Sequence, residues 1–270
     1  MRFGLLAAVL WVPMVGCGSS EPDGGAAPGT AGTQTTGPAP AAAGTQRIKV
    51  AGSSTPAQRD EIAALVSQRF VTAGLQAQAT ATDDGVQIAG TVDAARIRPL
   101  LARGSVQFRP VIAPQPCGAA PCADGPTGDD PAALRQEATY PDPENPGTAL
   151  LTGPACPPDS SGTEGCATDA MLEKVTVVDD AVGGGVNLVL FEGRNGIDAF
   201  NAVAGLCFQA GPECPTKRLA LIVDGKTVAA PSIQSSSFDR DEVQVSGGPT
   251  AWADLAVVLN HGPLPATLAP

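Results

Sequence analysis

The chain has 270 residues, 43% hydrophobic, 16% charged and only 4% aromatic, too apolar for disorder and too long for a disulfide-stapled mini-protein. With 16 Lys and Arg against 27 Asp and Glu, a formal charge of −11, a nucleic-acid partner held by phosphate neutralisation is disfavoured. The 32 glycines and 26 prolines make about a fifth of the chain punctuation or linker, and the seven cysteines are an odd number for a disulfide framework.

Residues 1–16, MRFGLLAAVLWVPMVG, set one positive charge, Arg2, before an apolar stretch from Phe3 to Val15 and end in a small residue ahead of Cys17. This is the pattern of a secretory signal peptide. The stretch falls short of the about 20 residues that a membrane-spanning helix needs. Met14-Val15-Gly16-Cys17 resembles the bacterial lipobox, which implies that Cys17 becomes the mature N-terminus, is lipidated through a thioether, and anchors the chain to the lipid bilayer at the extracytoplasmic face of the cell membrane. Two acyl chains hold where one gives only marginal, reversible binding. The alternative is a secreted protein whose signal happens to carry a cysteine. Residues 18–46 contain Gly, Ala, Pro, Thr, Ser, Gln and two acids without apolar periodicity, which predicts a disordered tether after Cys17 with a reach of roughly 30 Å.

Residues 47–113 read as a folded base. RIKVAG is a strand, and a helix follows with Thr55 as N-cap, Pro56 in the first turn, Gln58 completing a capping box and Gly74 as stop. Ile62, Leu65, Val66, Arg69 and Phe70 share one face, with Arg69 expected to snorkel to solvent. Leu75 to Ala81 and Val86 to Ala89 form a hairpin around Asp83-Asp84-Gly85. Asp93 caps a second helix carrying Ile97, Leu100 and Leu101, and Ser105 to Ile112 make the last strand. The order β-α-β-β-α-β predicts a ferredoxin-like unit.

Residues 114–172, rich in Pro, Gly and Asp, read as an inserted loop. It carries Cys117, Cys122, Cys156 and Cys166, and Cys207 and Cys214 bracket a later loop. An exported chain meets an oxidising compartment, so these six are expected to form three disulfides. Of fifteen connectivities the sequence-local one is preferred, 117 with 122, 156 with 166, and 207 with 214. Zinc is disfavoured, because no C-x-x-C spacing occurs and His261 is the single histidine; no metal or other cofactor is expected.

Residues 173–270 read as an α+β head. Lys174 to Val178 and Val186 to Phe191 are strands, and Asn195 is expected to cap a helix with Ile197, Phe200, Val203 and Ala204 inward. RLALIVDGKTVAAPSIQ holds two β-rich runs joined by Asp224-Gly225, a hairpin signal because both residues tolerate positive φ. After a strand at Val243 to Val245, PTAWADLAVVLNHG is a helix with Thr250 as N-cap, Trp252, Leu255, Ala256 and Leu259 on one face, and Gly262-Pro263 as stop.

LALIVDGKTVAAPSIQ and VQVSGGPTAWADLAVVLNHGPLPATL resemble the head subdomain of the SecD and SecDF family: a strand ending in Asp-Gly-Lys, an Ala-Pro step, a Thr-led helix with Asp-Leu-Ala and a Gly-x-Leu-Pro exit. The helix before AGLQAQATATDDGVQIAG and the strand VQFRPV resemble the base of the same region. The similarity spans, with gaps, about residues 47–268 and implies an α+β fold of ferredoxin-like base plus head. It also implies a non-enzymatic export accessory that binds emerging polypeptide or translocon subunits. The family's transmembrane machinery is not carried over, and Asn260 and His261 stand where the family has a cation before the exit glycine. The other reading is an envelope binding or scaffold lipoprotein that keeps the fold without an export role.

No residues are assigned to catalysis. His261 at a helix end is explained by the helix dipole, there is no G-x-S-x-G elbow, and Ser235-Ser236-Ser237 is a polar turn. Gly183-Gly184-Gly185 precedes a strand, whereas phosphate loops precede helices. Asp83/Asp84, Asp129/Asp130 and Asp179/Asp180 sit in connections where exposed carboxylates are the rule. Arg96, Arg98 and Arg103 read as the solvated face of the second helix, and Lys226 as the exposed tip of its hairpin.

Overall fold

The computed structural model describes residues 44–50, 54–91, 93–118, 122–127, 130–157, 164–178, 184–247 and 251–269. The signal peptide, Cys17, the tether to residue 43, Asp129, Asp179, Asp180, Gly183 and Thr250 lie outside them. The chain begins with β1 (Gly44–Val50), α1 (Pro56–Thr72), β2 (Ala77–Ala81) and β3 (Gly85–Gly90). The Thr55 capping box is complete: its hydroxyl accepts from Gln58 N–H and the Gln58 side chain accepts from Thr55 N–H. The helix ends at Gly74, in the left-handed region at φ +69°. Asp93 caps α2 (Ala94–Ile97), and Pro99, which has no N–H to donate, turns the helix into a 3-10 segment, Arg98–Leu101. β1 starts at Gly44, within the segment read as tether, because Gly44 to Ile48 pair with Val86 to Gly90.

The last strand expected of the base does not join this sheet. Its order is β12-β1-β3-β2, antiparallel throughout, where β12 is Leu268–Ala269 and pairs with Lys49 and Val50. The ferredoxin-like unit is thus closed by the far end of the chain. Val106 and Phe108 bury one face and Gln107 and Arg109, each hydrogen-bonded, bury the other, so this strand, β4 (Val106–Pro116), is covered on both sides and goes to the centre of a five-stranded sheet instead.

Residues 114–172 are not an unstructured insertion. They hold α3 (Pro131–Leu134), β5 (Ala138–Pro141), β6 (Thr148–Thr152) and a 3-10 turn, Asp169–Met171. β5 and β6 form a hairpin on β4, ordered β10-β9-β4-β6-β5 with β9 (Leu219–Val223) and β10 (Lys226–Ala229). Pro116 and Pro141 end their strands, Pro143 and Pro146 lie in the turn between β5 and β6, and Pro131 opens α3, positions where a missing backbone donor costs little. A third sheet, β11-β8-β7, is built from β7 (Leu172–Val178), β8 (Gly185–Leu190) and β11 (Val243–Ser246).

Two helices complete the fold, α4 (Ile197–Gln209) and α5 (Trp252–Asn260). Gly196, not Asn195, occupies the N-cap of α4; the Asn195 side chain instead accepts from Gly165 N–H at 2.9 Å. Ile62, Val66 and Phe70 of α1 pack with Ile48, Val86 and Ile88 in one core, which Leu264 and Leu268 also enter. Phe108, Phe200, Val203, Leu221, Leu188 and Trp252 belong to the second. α5 belongs to both, with Val258 in the first and Leu255 and Leu259 in the second. The architecture is α+β.

Candidate functional site

Between β9, α4, the Pro231–Phe238 segment and β11 lies an apolar cavity of about 160 Å3. β9 is buried along its whole length, and Val243 and Val245 of β11 point inward while Gln244 is exposed, the period-2 pattern of a strand with one covered face. Phe108, Phe200 and Phe238 stack edge to face in a row with centroids 5.5 Å apart at each step. Pro231 to Ile233 are laid along the start of β9 by Leu219 N–H to Pro231 O at 3.0 Å and Ile233 N–H to Lys217 O at 2.8 Å. On the other side stands β11, the terminal strand of its sheet. Ser232, Gln234 and Gln244 are the polar residues of the lining, which contains no ionisable side chain. A space of this size and polarity accepts an apolar group about as large as a benzene ring. It has no means of acid–base chemistry.

A second constellation joins the two cores. Arg69, expected at the surface, is fully buried. Its guanidinium donates to the carbonyls of Leu100 (3.0 Å), Ala102, Arg103 (3.1 Å) and Gly262 (2.6 Å). Four carbonyl dipoles replace the water that snorkelling would have kept. Burial lowers the guanidinium pKa to about 10, partly offset by the nearby Asp224 charge. Asp224 and Gly225 have φ +50° and +79°, the double positive φ of the expected hairpin. The Asp224 carboxylate does more than turn the chain: it accepts from Gly104 N–H at 3.0 Å and Ser105 N–H at 2.9 Å, pinning the entry to β4. Asp169 accepts from the next amide, Val106, at 3.4 Å, and burial raises its carboxyl pKa. Arg103 is not simply solvated; its Nε donates to Leu264 O at 3.0 Å.

The helix-dipole account of His261 also changes. Its Nε2 lies 2.8 Å from Thr72 Oγ1, and its pKa is lowered by burial and then by Arg69, the opposite of what stabilisation by a helix C-terminus alone produces. Asn260 bonds Val175 through both backbone groups, its Oδ1 accepting at 2.8 Å and its Nδ2 donating at 2.7 Å. Arg109 is a second buried cation that sequence reasoning missed, donating to Gln107 Oε1 at 2.6 Å and to the carbonyls of Ala133, Gln136 and Gly153 at 2.7–3.0 Å. It ties α3 and the β5–β6 hairpin to β4.

The six cysteines stand in three pairs, Cys117–Cys122, Cys156–Cys166 and Cys207–Cys214. Arg96 and Arg98 are exposed, Asp130 caps α3, and Lys226 is an exposed tip 3.5 Å from an Asp124 oxygen. Among the described residues there is no metal-ligating cluster, and no helix is long and apolar enough to cross a membrane.

Two solved structures share this arrangement. A crystal structure of SecDF in a super-membrane-facing form matches with a TM-score of 0.54 at 17% identity, over 83% of this chain and 29% of that one. A structure of a membrane component SecDF that enhances protein export matches with a TM-score of 0.51 at 17% identity, over 83% of this chain and 96% of that one. The fold is SecD-like. The chain therefore spans under a third of the first SecDF structure and nearly all of the second, and at this identity the likeness is one of fold. No family model and no curated protein matches the sequence.

Proposed function

We propose that the chain is a non-enzymatic, lipid-anchored extracytoplasmic accessory of protein export, held to the membrane by acylated Cys17, that binds apolar segments of emerging polypeptide in its SecD-like head. The cavity beside β11 carries this reading. It is apolar, it borders an edge strand, and no ionisable side chain lines it. An extended segment can add backbone hydrogen bonds along β11 while seating one side chain among Phe108, Phe200 and Phe238, the strand-addition mode of peptide recognition. The likeness to SecDF supports the export setting. A photo-crosslinker at the exposed Gln244 should capture exported polypeptides in cells, and Phe238→Trp, which fills the cavity, should abolish capture. Absence of such adducts, or their persistence in the filled variant, overturns the reading. Normal secretion with an altered envelope after deletion supports the scaffold alternative instead.

A further inference from the structure

The three cysteine pairs differ in access. Cys156, Cys166, Cys207 and Cys214 are at most 5% exposed, whereas Cys117 and Cys122 are half-buried at the surface. Cys122 lines two clefts of about 660 and 520 Å3, and Cys117 lines the smaller. Thiol–disulfide exchange requires a thiolate to reach a sulfur; Cys166, Cys207 and Cys214 are enclosed, and Cys156, although it borders a cleft of about 290 Å3, is only 5% exposed, so Cys117–Cys122 is the most accessible of the three pairs.

Cys117 and the chain just beyond Cys122 are also docked independently of the bond. Cys117 N–H donates to Gly147 O at 2.9 Å and Gly125 N–H to Gly225 O at 2.8 Å. Pro126 O accepts from Gln107 Nε2 and from the Tyr140 hydroxyl, each at 3.2 Å. Breaking the bridge therefore leaves its flanks in place. Cys122 Sγ lies 3.2 Å from Thr148 O, an acceptor ready for the thiol proton once that sulfur is reduced.

We propose that Cys117–Cys122 is a thiol-exchange site for a protein dithiol of the Cys-x-x-Cys type, whose lowered thiol pKa supplies the attacking thiolate. That thiolate bonds to one of the two sulfurs as the Cys117–Cys122 bond breaks, and the released thiolate takes up the proton. The partner's second thiol then gives up its proton and attacks the mixed disulfide. The partner leaves as a disulfide and both cysteines remain as thiols, so the partner's dithiol supplies both electrons and both protons.

The test mixes the full chain with a thioredoxin-fold dithiol protein whose second active-site cysteine is replaced by serine, which traps the mixed disulfide for non-reducing peptide mapping. An adduct is expected on Cys117 or Cys122, forming at least about 100-fold faster than on the other four cysteines, which need local opening to be reached. The C117S/C122S variant, its fold checked by circular dichroism, should form none. The idea is overturned by no adduct on the wild-type chain, by comparable rates at the buried pairs, by adducts persisting in the double variant, or by unfolding when this bridge alone is reduced.

Discussion

Replacing Arg69 with methionine tests whether the buried guanidinium holds the two cores together. The side chain is fully buried on α1 and binds four carbonyls, three from residues 100–103 and one from Gly262 beyond α5. The Arg103 carbonyl keeps a second donor, Leu264 N–H at 2.8 Å, so the loss falls on Leu100, Ala102 and Gly262. At about 1–2 kcal/mol for each charge-assisted bond removed from a buried acceptor, the gross cost is about 3–6 kcal/mol. Methionine fills much of the volume and removes the desolvation penalty that already depresses the Arg69 pKa, which offsets about 1–2 kcal/mol of it. A net destabilisation of about 2–4 kcal/mol follows, read as a lower urea midpoint at unchanged m-value. Arg69→Lys keeps the charge, but a single ammonium cannot span four carbonyls, so it should fall between wild type and methionine. A methionine variant within about 0.5 kcal/mol of wild type refutes the reasoning, because the carbonyls would then have found other donors at no cost.

Three further outcomes follow from the same junction. Gly104→Ala should destabilise by at least about 2 kcal/mol in thermal or urea unfolding, since φ is +87° and a Cβ would sit 2.7 Å from Val258 Cγ1. The folded-state pKa of Asp169 is raised, so ionised Asp169 costs stability at neutral pH and the cost fades as pH falls through its folded pKa towards the unfolded value near 3.8; Asp169→Asn, which still accepts from Val106 N–H, should raise the urea midpoint at pH 7 and lose that advantage in acid. The folded-state pKa of His261 is lowered from 6.5, so the fold disfavours its proton and stability falls as pH drops below about 6.5; His261→Gln, which keeps a partner for Thr72, should flatten this part of a stability profile.

Local features were readable because their causes are local. The Thr55 box needs only residues three apart, and Asp224-Gly225 needs only two residues that tolerate positive φ. Arg69 was misplaced because its carbonyl partners come from residues 100–103 and 262, and helical spacing reports which face a residue occupies, not what meets it there. The closing strand of the base was misassigned for a related reason: Val106 to Pro110 and Leu268 to Ala269 both suit an edge beside β1, and only the burial of β4 on both faces decides between them. The β5–β6 hairpin was hidden by proline counting, which averages strand ends with strand interiors. The cavity left no sequence signal, since Phe108, Phe200 and Phe238 lie far apart along the chain and read separately as core.

The size of the cavity bears on what binding there can achieve. One side chain fits, and burying a leucine or phenylalanine contributes about 2–3 kcal/mol. Two backbone hydrogen bonds along β11 add about 1 kcal/mol each, before the cost of ordering the guest. The total lies near the 4.1 kcal/mol that corresponds to a Kd of about 1 mM. Such a site retains a passing chain only while other attachments keep the local concentration high, which the proposed lipid anchor at Cys17 supplies by confining the head to the membrane where the polypeptide emerges. Weak contact and confinement together select for transient holding. A tighter pocket would impede the release that the proposed export role requires, and the net negative charge of the chain biases the encounter towards basic segments without adding to the short-range contact.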